Sequence, residues 1–108
     1  MTIIFKNKKP FIEGVGLNEI TSAIETPFYI YSQQSIMNAY NKIKNSLDIE
    51  IFFSVKANSN IAILSIMKSL GAGADVVSAG ELERAINAGI ANSKIIFEGV
   101  GKSIDDVE

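Results

Sequence analysis

Two hydrophobic periods alternate along this chain, and the switches between them mark its elements. From Ser32 to about Leu47 the apolar residues Ile36, Ala39, Tyr40, Ile43 and Leu47 fall at i, i+3, i+4, i+7 and i+11, one face of a helix. Ser32 is placed to cap it. The run Ile51-Phe52-Phe53-Ser54-Val55 is instead almost continuously apolar, which predicts a strand over Glu50–Val55 buried on both faces. The pair of signals then repeats. Asn60 caps a helix to Leu70 that Gly71 closes, and Gly73–Val77 reads as a strand. A helix follows from about Ala79 to Ala88 with Gly89 past its end, then a strand over Ile95–Glu98, and Ser103 begins a further helix.

The upstream pattern is shorter. Ile3–Phe5 and Phe11–Ile12 read as extended pieces, Gly14-Val15-Gly16 as a turn, and Leu17–Ile24 as a helix with Leu17, Ile20 and Ile24 on one stripe. Pro27 keeps Thr26 extended, and Phe28–Tyr31 is a β-rich tetrad. From there the order is βαβαβ, with strand–helix units recurring about every 22 residues, as a parallel sheet with right-handed crossovers requires. A doubly wound sheet and a barrel both remain open. A (β/α)8 barrel takes about 250 residues, and this chain supplies about three of its strands. On the barrel reading it is the N-terminal fragment of a larger protein, and its ending, Ile104–Glu108, halts early in a helix without a cap.

Composition narrows the chemistry. With 47% hydrophobic and 20% charged residues among 108, the chain has the makings of a globular core. A net charge of −2 with scattered lysines gives no support for a nucleic-acid partner. The absence of cysteine and histidine removes disulfides, thiol sites, the commonest metal ligand and the commonest general base, so no metal site is expected. Catalysis falls to lysine, carboxylates, hydroxyls or a cofactor. The stretch Ile3–Phe5 is too short for a signal peptide, and no apolar run approaches the roughly 20 residues of a membrane span. A soluble cytoplasmic protein is the default expectation.

Three segments could carry chemistry: the strand end at Lys56, the run Gly71–Leu82 that holds Asp75, Ser78 and Glu81, and Gly99–Ser103. Lys56 ends a buried strand just before Ala57-Asn58-Ser59-Asn60, at the mouth where parallel α/β folds keep their sites. By strict alternation Phe52, Ser54 and Lys56 share one face. Half desolvated there, the amine becomes a nucleophile able to form a Schiff base with an aldehyde; a strand-end lysine snorkelling to solvent is the plainer alternative. Asp75 lies inside an apolar strand, where a carboxylate requires a partner: a cationic group on the neighbouring strand, or backbone N–H. Ser78 and Glu81 have the Ser-x-x-Glu spacing of a capping box, which a catalytic contribution from Glu81 can accompany. Gly99-Val100-Gly101-Lys102-Ser103 suggests a phosphate loop, but Ile96 stands where a Walker motif needs its first glycine, so a tight turn is the simpler role. All these positions fall on one rim of the sheet.

Four collinear segments then resemble the group IV decarboxylases, and among them the diaminopimelate decarboxylases. Thr26-Pro27-Phe28-Tyr29-Ile30-Tyr31 resembles the family's entry into its barrel. Phe53–Asn58 resembles Tyr-Ala-Val-Lys-Ala-Asn, and Gly73–Leu82 resembles Gly-Ala-Asp-Val-Val-Ser-Gly-Gly-Glu-Leu with Ala79 for a glycine. Ile95–Ser103 resembles the family's run into Gly-x-Gly-Lys-Ser. The resemblance implies the first part of an alanine-racemase-like (β/α)8 barrel over residues 26–108, preceded by a segment, residues 1–25, that pairs into a C-terminal β-domain absent here. It implies that Lys56 binds pyridoxal phosphate as a Schiff base, with Asp75 beside it and Glu81 a further cofactor-site carboxylate. The implied reaction is decarboxylation of meso-diaminopimelate to L-lysine, by a homodimer acting on a small amino acid and using neither nucleic acid nor membrane. The family's ring-stacking histidine, ring-nitrogen glutamate, phosphate loop and interfacial cysteine have no counterparts in this chain. Alternatives are an ornithine- or arginine-type decarboxylase, a non-enzymatic pyridoxal-phosphate homeostasis protein with a Val-Ser-Lys-Thr-like motif, and a flavodoxin-like phosphate binder without its fingerprint.

Overall fold

The structure, a computed structural model, describes residues 3–107. They divide into two compact units, one ending at Ala39 and one beginning at Tyr40.

In the first unit β1 (Ile4–Lys6), β2 (Lys9–Ile12) and β3 (Val15–Gly16) form an antiparallel meander in that order. Both connections are two-residue turns whose central residues have positive φ: Asn7 and Lys8 at 49° and 62°, Glu13 and Gly14 at 48° and 82°. That geometry matches the right-handed twist of the flanking strands. It corrects the expected Gly14-Val15-Gly16 turn: Ile12 pairs with Val15 and Phe11 with Gly16, so the turn is Glu13-Gly14 and the next two residues are strand. Helix α1 (Leu17–Ala23) follows, its Glu19 Oε2 accepting the Gly16 N–H at 3.3 Å. Phe28–Tyr31 is not a strand. Its residues alternate half-buried and exposed as a strand's do, but no described segment pairs with them, and β-propensity has effect only where a partner exists.

Helix α2 (Gln33–Leu47) spans the division between the units. Its N-terminus is capped as expected, the Ser35 N–H donating to Ser32 Oγ at 3.0 Å. Of its predicted stripe, Tyr40 is buried, whereas Ile43 and Leu47 are exposed among the described residues.

In the second unit β4 (Phe52–Ser54), β5 (Gly73–Val76) and β6 (Ile95–Phe97) are parallel in the order β4-β5-β6, joined through α3 (Ile61–Ser69) and α4 (Ala79–Asn87). The helix ends fall where the punctuation residues predicted: Asn60 Oδ1 takes the Ala62 N–H, and Gly71 and Gly89 stand at φ 89° and 86° just past the ends. Val55, Leu64, Ala74, Val76, Ala85, Ala88 and Ile90 form the core, with Phe53, Leu82, Ile95 and Phe97 against it. The register Phe52↔Gly73 and Ser54↔Asp75↔Ile96 puts the alternate residues on the opposite face. Gly73 is required there. A Cβ would lie 2.5 Å from the Phe52 ring and 2.6 Å from the Lys94 carbonyl oxygen.

Two expectations at strand ends are corrected. β4 stops at Ser54, and Val55–Ala57 form a 3₁₀ turn closed by the Asn58 N–H on the Val55 carbonyl at 3.1 Å. Val55 belongs to the core although it has left the strand, which is why its apolar character read as more strand. Ser103 begins a turn among the described residues, not a helix: its N–H and hydroxyl both donate to Asp106 Oδ2, at 2.7 and 2.8 Å. No described helix is long and apolar enough to cross a membrane.

Candidate functional site

The candidate side chains gather at the C-terminal ends of β4 and β5. Lys56 is the middle residue of the 3₁₀ turn after β4 and is exposed, so the expected half-desolvation is not met. The reason is the early end of β4: alternation stops at Ser54, and Lys56 sits in a surface turn instead of on the strand face. Beneath it Val55 is buried, an anchor worth about 1.5–3 kcal/mol.

Asp75 lies on the central strand, paired in register with Ser54 on one side and Ile96 on the other. Its Oδ1 is buried and has no hydrogen-bond partner among the described residues. The partner expected from the sequence, cation or backbone, is therefore absent for this oxygen. A buried unpaired acceptor costs about 1–3 kcal/mol.

Glu81 stands in the first turn of α4. Its N–H donates to Ser78 Oγ at 3.2 Å, the half of the capping box that stabilises the helix start. The return bond is displaced by one residue, Glu81 Oε2 accepting the Val77 N–H at 2.9 Å. Glu81 thus fixes the backbone immediately beyond β5, with one carboxylate oxygen committed. At the end of β6, Gly99 and Gly101 have φ of 108° and 74°, a backbone path that favours glycine and suits a tight turn.

One residue of this rim was missed from the sequence. Arg84 of α4 donates from Nη1 to the carbonyl oxygen of Ser59, at 3.2 Å, in the loop that follows Lys56. A surface arginine on a polar helix face gives no periodic or motif signal. Its partner is a backbone atom, which no side-chain pattern reveals.

The arrangement places an exposed amine on the turn after β4 and, on the neighbouring strand, a buried carboxylate oxygen without a hydrogen-bond partner among the described residues, with Glu81 and Arg84 tying down the backbone that follows each strand. Comparison with known proteins agrees with the resemblance read from the sequence. Residues 33–108 match the family described as pyridoxal-dependent decarboxylase, pyridoxal binding domain. The chain is 41% identical to a diaminopimelate decarboxylase of Pseudomonas aeruginosa, over 98% of the chain and 26% of that protein. It is 40% identical to the Aquifex aeolicus diaminopimelate decarboxylase, over 92% and 24%. Among solved structures, M. jannaschii diaminopimelate decarboxylase in complex with L-lysine superposes with a TM-score of 0.93 at 31% identity, over 98% of this chain and 26% of that one. The chain therefore spans about a quarter of the length of these relatives. It belongs to the pyridoxal-dependent decarboxylases, through their pyridoxal-binding domain.

Proposed function

We propose that the protein containing this chain uses pyridoxal phosphate to decarboxylate meso-diaminopimelate, giving L-lysine and CO2. In this reading residues 26–108 open a (β/α)8 barrel, residues 1–25 pair into a C-terminal β-domain, and the enzyme works as a cytoplasmic homodimer on a small amino acid. One observation carries it. Lys56 follows by two residues the Ser54 that pairs with Asp75, and Asp75 keeps a buried oxygen without a donor among the described residues.

Those groups fit the cofactor: an amine to take an aldehyde, and a free acceptor for a protonated nitrogen. Lys56 is assigned to hold the cofactor by its aldehyde. Asp75 is assigned to keep the proton on the nitrogen beside it, because a carboxylate removed from water favours the charged form of a neighbouring amine. Glu81 is a near-site carboxylate whose tie to Val77 fixes the end of the Asp75 strand. When bound, pyridoxal phosphate supplies the electron sink for the bonding pair left by the departing CO2.

A related basic-amino-acid decarboxylase is the second reading, since lysine decarboxylase from Selenomonas ruminantium also superposes, with a TM-score of 0.71 at 32% identity over 75% of this chain. The higher TM-score and coverage of the M. jannaschii diaminopimelate enzyme, with the 41% and 40% identity of the P. aeruginosa and A. aeolicus diaminopimelate decarboxylases, favour the first. The test takes the full-length protein with pyridoxal phosphate, traps it with borohydride and maps the labelled peptide. It then measures CO2 release from meso-diaminopimelate, ornithine, arginine and lysine. The expected result is a pyridoxyl adduct on Lys56, turnover of meso-diaminopimelate, and loss of both in Lys56→Ala. Preference for another amino acid moves the assignment to the second reading. An adduct without any turnover makes the protein a cofactor carrier, and no adduct on Lys56 refutes the assignment.

A further inference from the structure

Helix α4 reaches back to both strand ends that carry the candidate chemistry. Glu81, in its first turn, takes the Val77 N–H just beyond β5. Arg84, one turn later, donates to the Ser59 carbonyl in the loop beyond β4, 25 residues away in sequence. Local bonds give that loop its shape. The Asn58 N–H closes on Val55, Asn58 Oδ1 accepts the Asn60 N–H at 3.1 Å, and Asn60 caps α3. None of these bonds leaves the segment from Val55 to Ala62, so they set its internal geometry and not its position against β5. Its near end is positioned by β4, which pairs with β5 up to Ser54, and by Val55 in the core; at its far end the Arg84 guanidinium ties the Ser59 carbonyl to α4. A guanidinium–carbonyl bond is charge-assisted, and its planar donor fork constrains direction as well as distance.

We propose that Arg84 is a positioning residue: through the Ser59 carbonyl it holds the turn bearing Lys56 in place against the Asp75 strand, so that the amine meets the cofactor aldehyde in one arrangement. The proposal rests on the reading of Lys56 as the cofactor lysine. Arg84 acts through the loop and not on the reacting atoms. Its loss leaves Lys56 chemically intact but spread over more conformations, which lowers cofactor affinity.

The test compares the full-length protein with its Arg84→Met and Arg84→Lys variants. Met keeps the apolar stem and removes the donor; Lys keeps a donor able to reach a carbonyl. Three quantities are read: pyridoxal phosphate affinity by absorbance titration, the peptide labelled by borohydride, and the melting temperature of the cofactor-free protein. Arg84→Met is expected to bind pyridoxal phosphate about tenfold more weakly, the loss of one charge-assisted hydrogen bond. Its cofactor-free melting temperature stays close to the parent's, and Arg84→Lys recovers most of the affinity. If the parent is labelled on Lys56 and Arg84→Met binds as tightly, the positioning role is overturned while the cofactor assignment stands. Weaker binding in both variants with a matching fall in melting temperature also overturns it, because that marks a general structural role. If the parent is not labelled on Lys56, the cofactor assignment fails and this proposal with it.

Discussion

Asp75 is placed at a cost. A carboxylate on the central strand of a small sheet, with Oδ1 buried and unpaired among the described residues, works against folding in the cofactor-free protein. Residues kept against stability are the mark of a functional site. Asp75→Ala in the cofactor-free full-length protein is therefore expected to leave stability unchanged or raise it by about 1 kcal/mol. The same variant is expected to bind pyridoxal phosphate more weakly. Urea unfolding and absorbance titration read the two effects separately, and a clear loss of stability would show that Asp75 is a structural residue. At this scale the sequence was informative about which side chains matter. Asp75 stood out as a carboxylate in an apolar run, and Lys56 as a cation at the end of one. Their surroundings were not legible. Whether Asp75 has a donor depends on the register with β4 and β6, and whether Lys56 is desolvated depends on where β4 stops; neither is encoded in the residues themselves.

Elements with their own punctuation were readable to within a residue or two. Asn60, Ser78, Gly71 and Gly89 bound α3 and α4 because a cap or a positive-φ glycine acts locally. Elements that need a partner were not, and Phe28–Tyr31 shows why: its alternation is intact but no strand among the described residues pairs with it. The Glu13-Gly14 turn was also misplaced, and its chemistry explains its position. Glu13 Oε1 accepts hydrogen bonds from the Ser32 hydroxyl and, at 2.8 Å, from the Gln34 N–H, so the hairpin turn caps helix α2. The Ser32 bond first and the Gln34 bond second hold the Glu13 carboxyl below its ordinary value of 4.5, outweighing a small opposing effect of burial. A lowered native value means that this tie is complete above the ordinary carboxylate value and is lost as pH falls through the native one. Hydrogen exchange at the Gln34 amide is thus expected to be slow at neutral pH, after correction for intrinsic rates, and to lose protection in acid. Glu13→Gln should remove that acid dependence. If the variant loses protection over the same pH range as the parent, another group controls the helix start.

At the scale of the molecule, the βαβαβ order was legible because each strand–helix unit repeats the same two signals, whereas closure was not, since three parallel strands begin a barrel and a doubly wound sheet alike. The described sheet has consequences of its own. Among the described residues β4 and β6 each pair on one side only, with β5, and Ile96 of β6 is 47% exposed. Further apolar side chains lie open on the same unit, among them Leu47 at 61% and Ile104 at 77%. Unpaired strand edges beside exposed apolar surface template association with other chains. In relatives about four times as long, further chain is available to cover such surface. The 108 residues expressed alone are therefore expected to self-associate, sedimenting above their 11.7 kDa in proportion to concentration. The full-length protein, by contrast, should give a single species with no concentration-dependent growth beyond a dimer. The contrast is diagnostic because both samples contain the same strands and differ only in what covers them. A stable monomer of the short chain across the whole concentration range would mean that its edges are protected by its own residues, and that covering by the rest of the protein is not what keeps this sheet in solution.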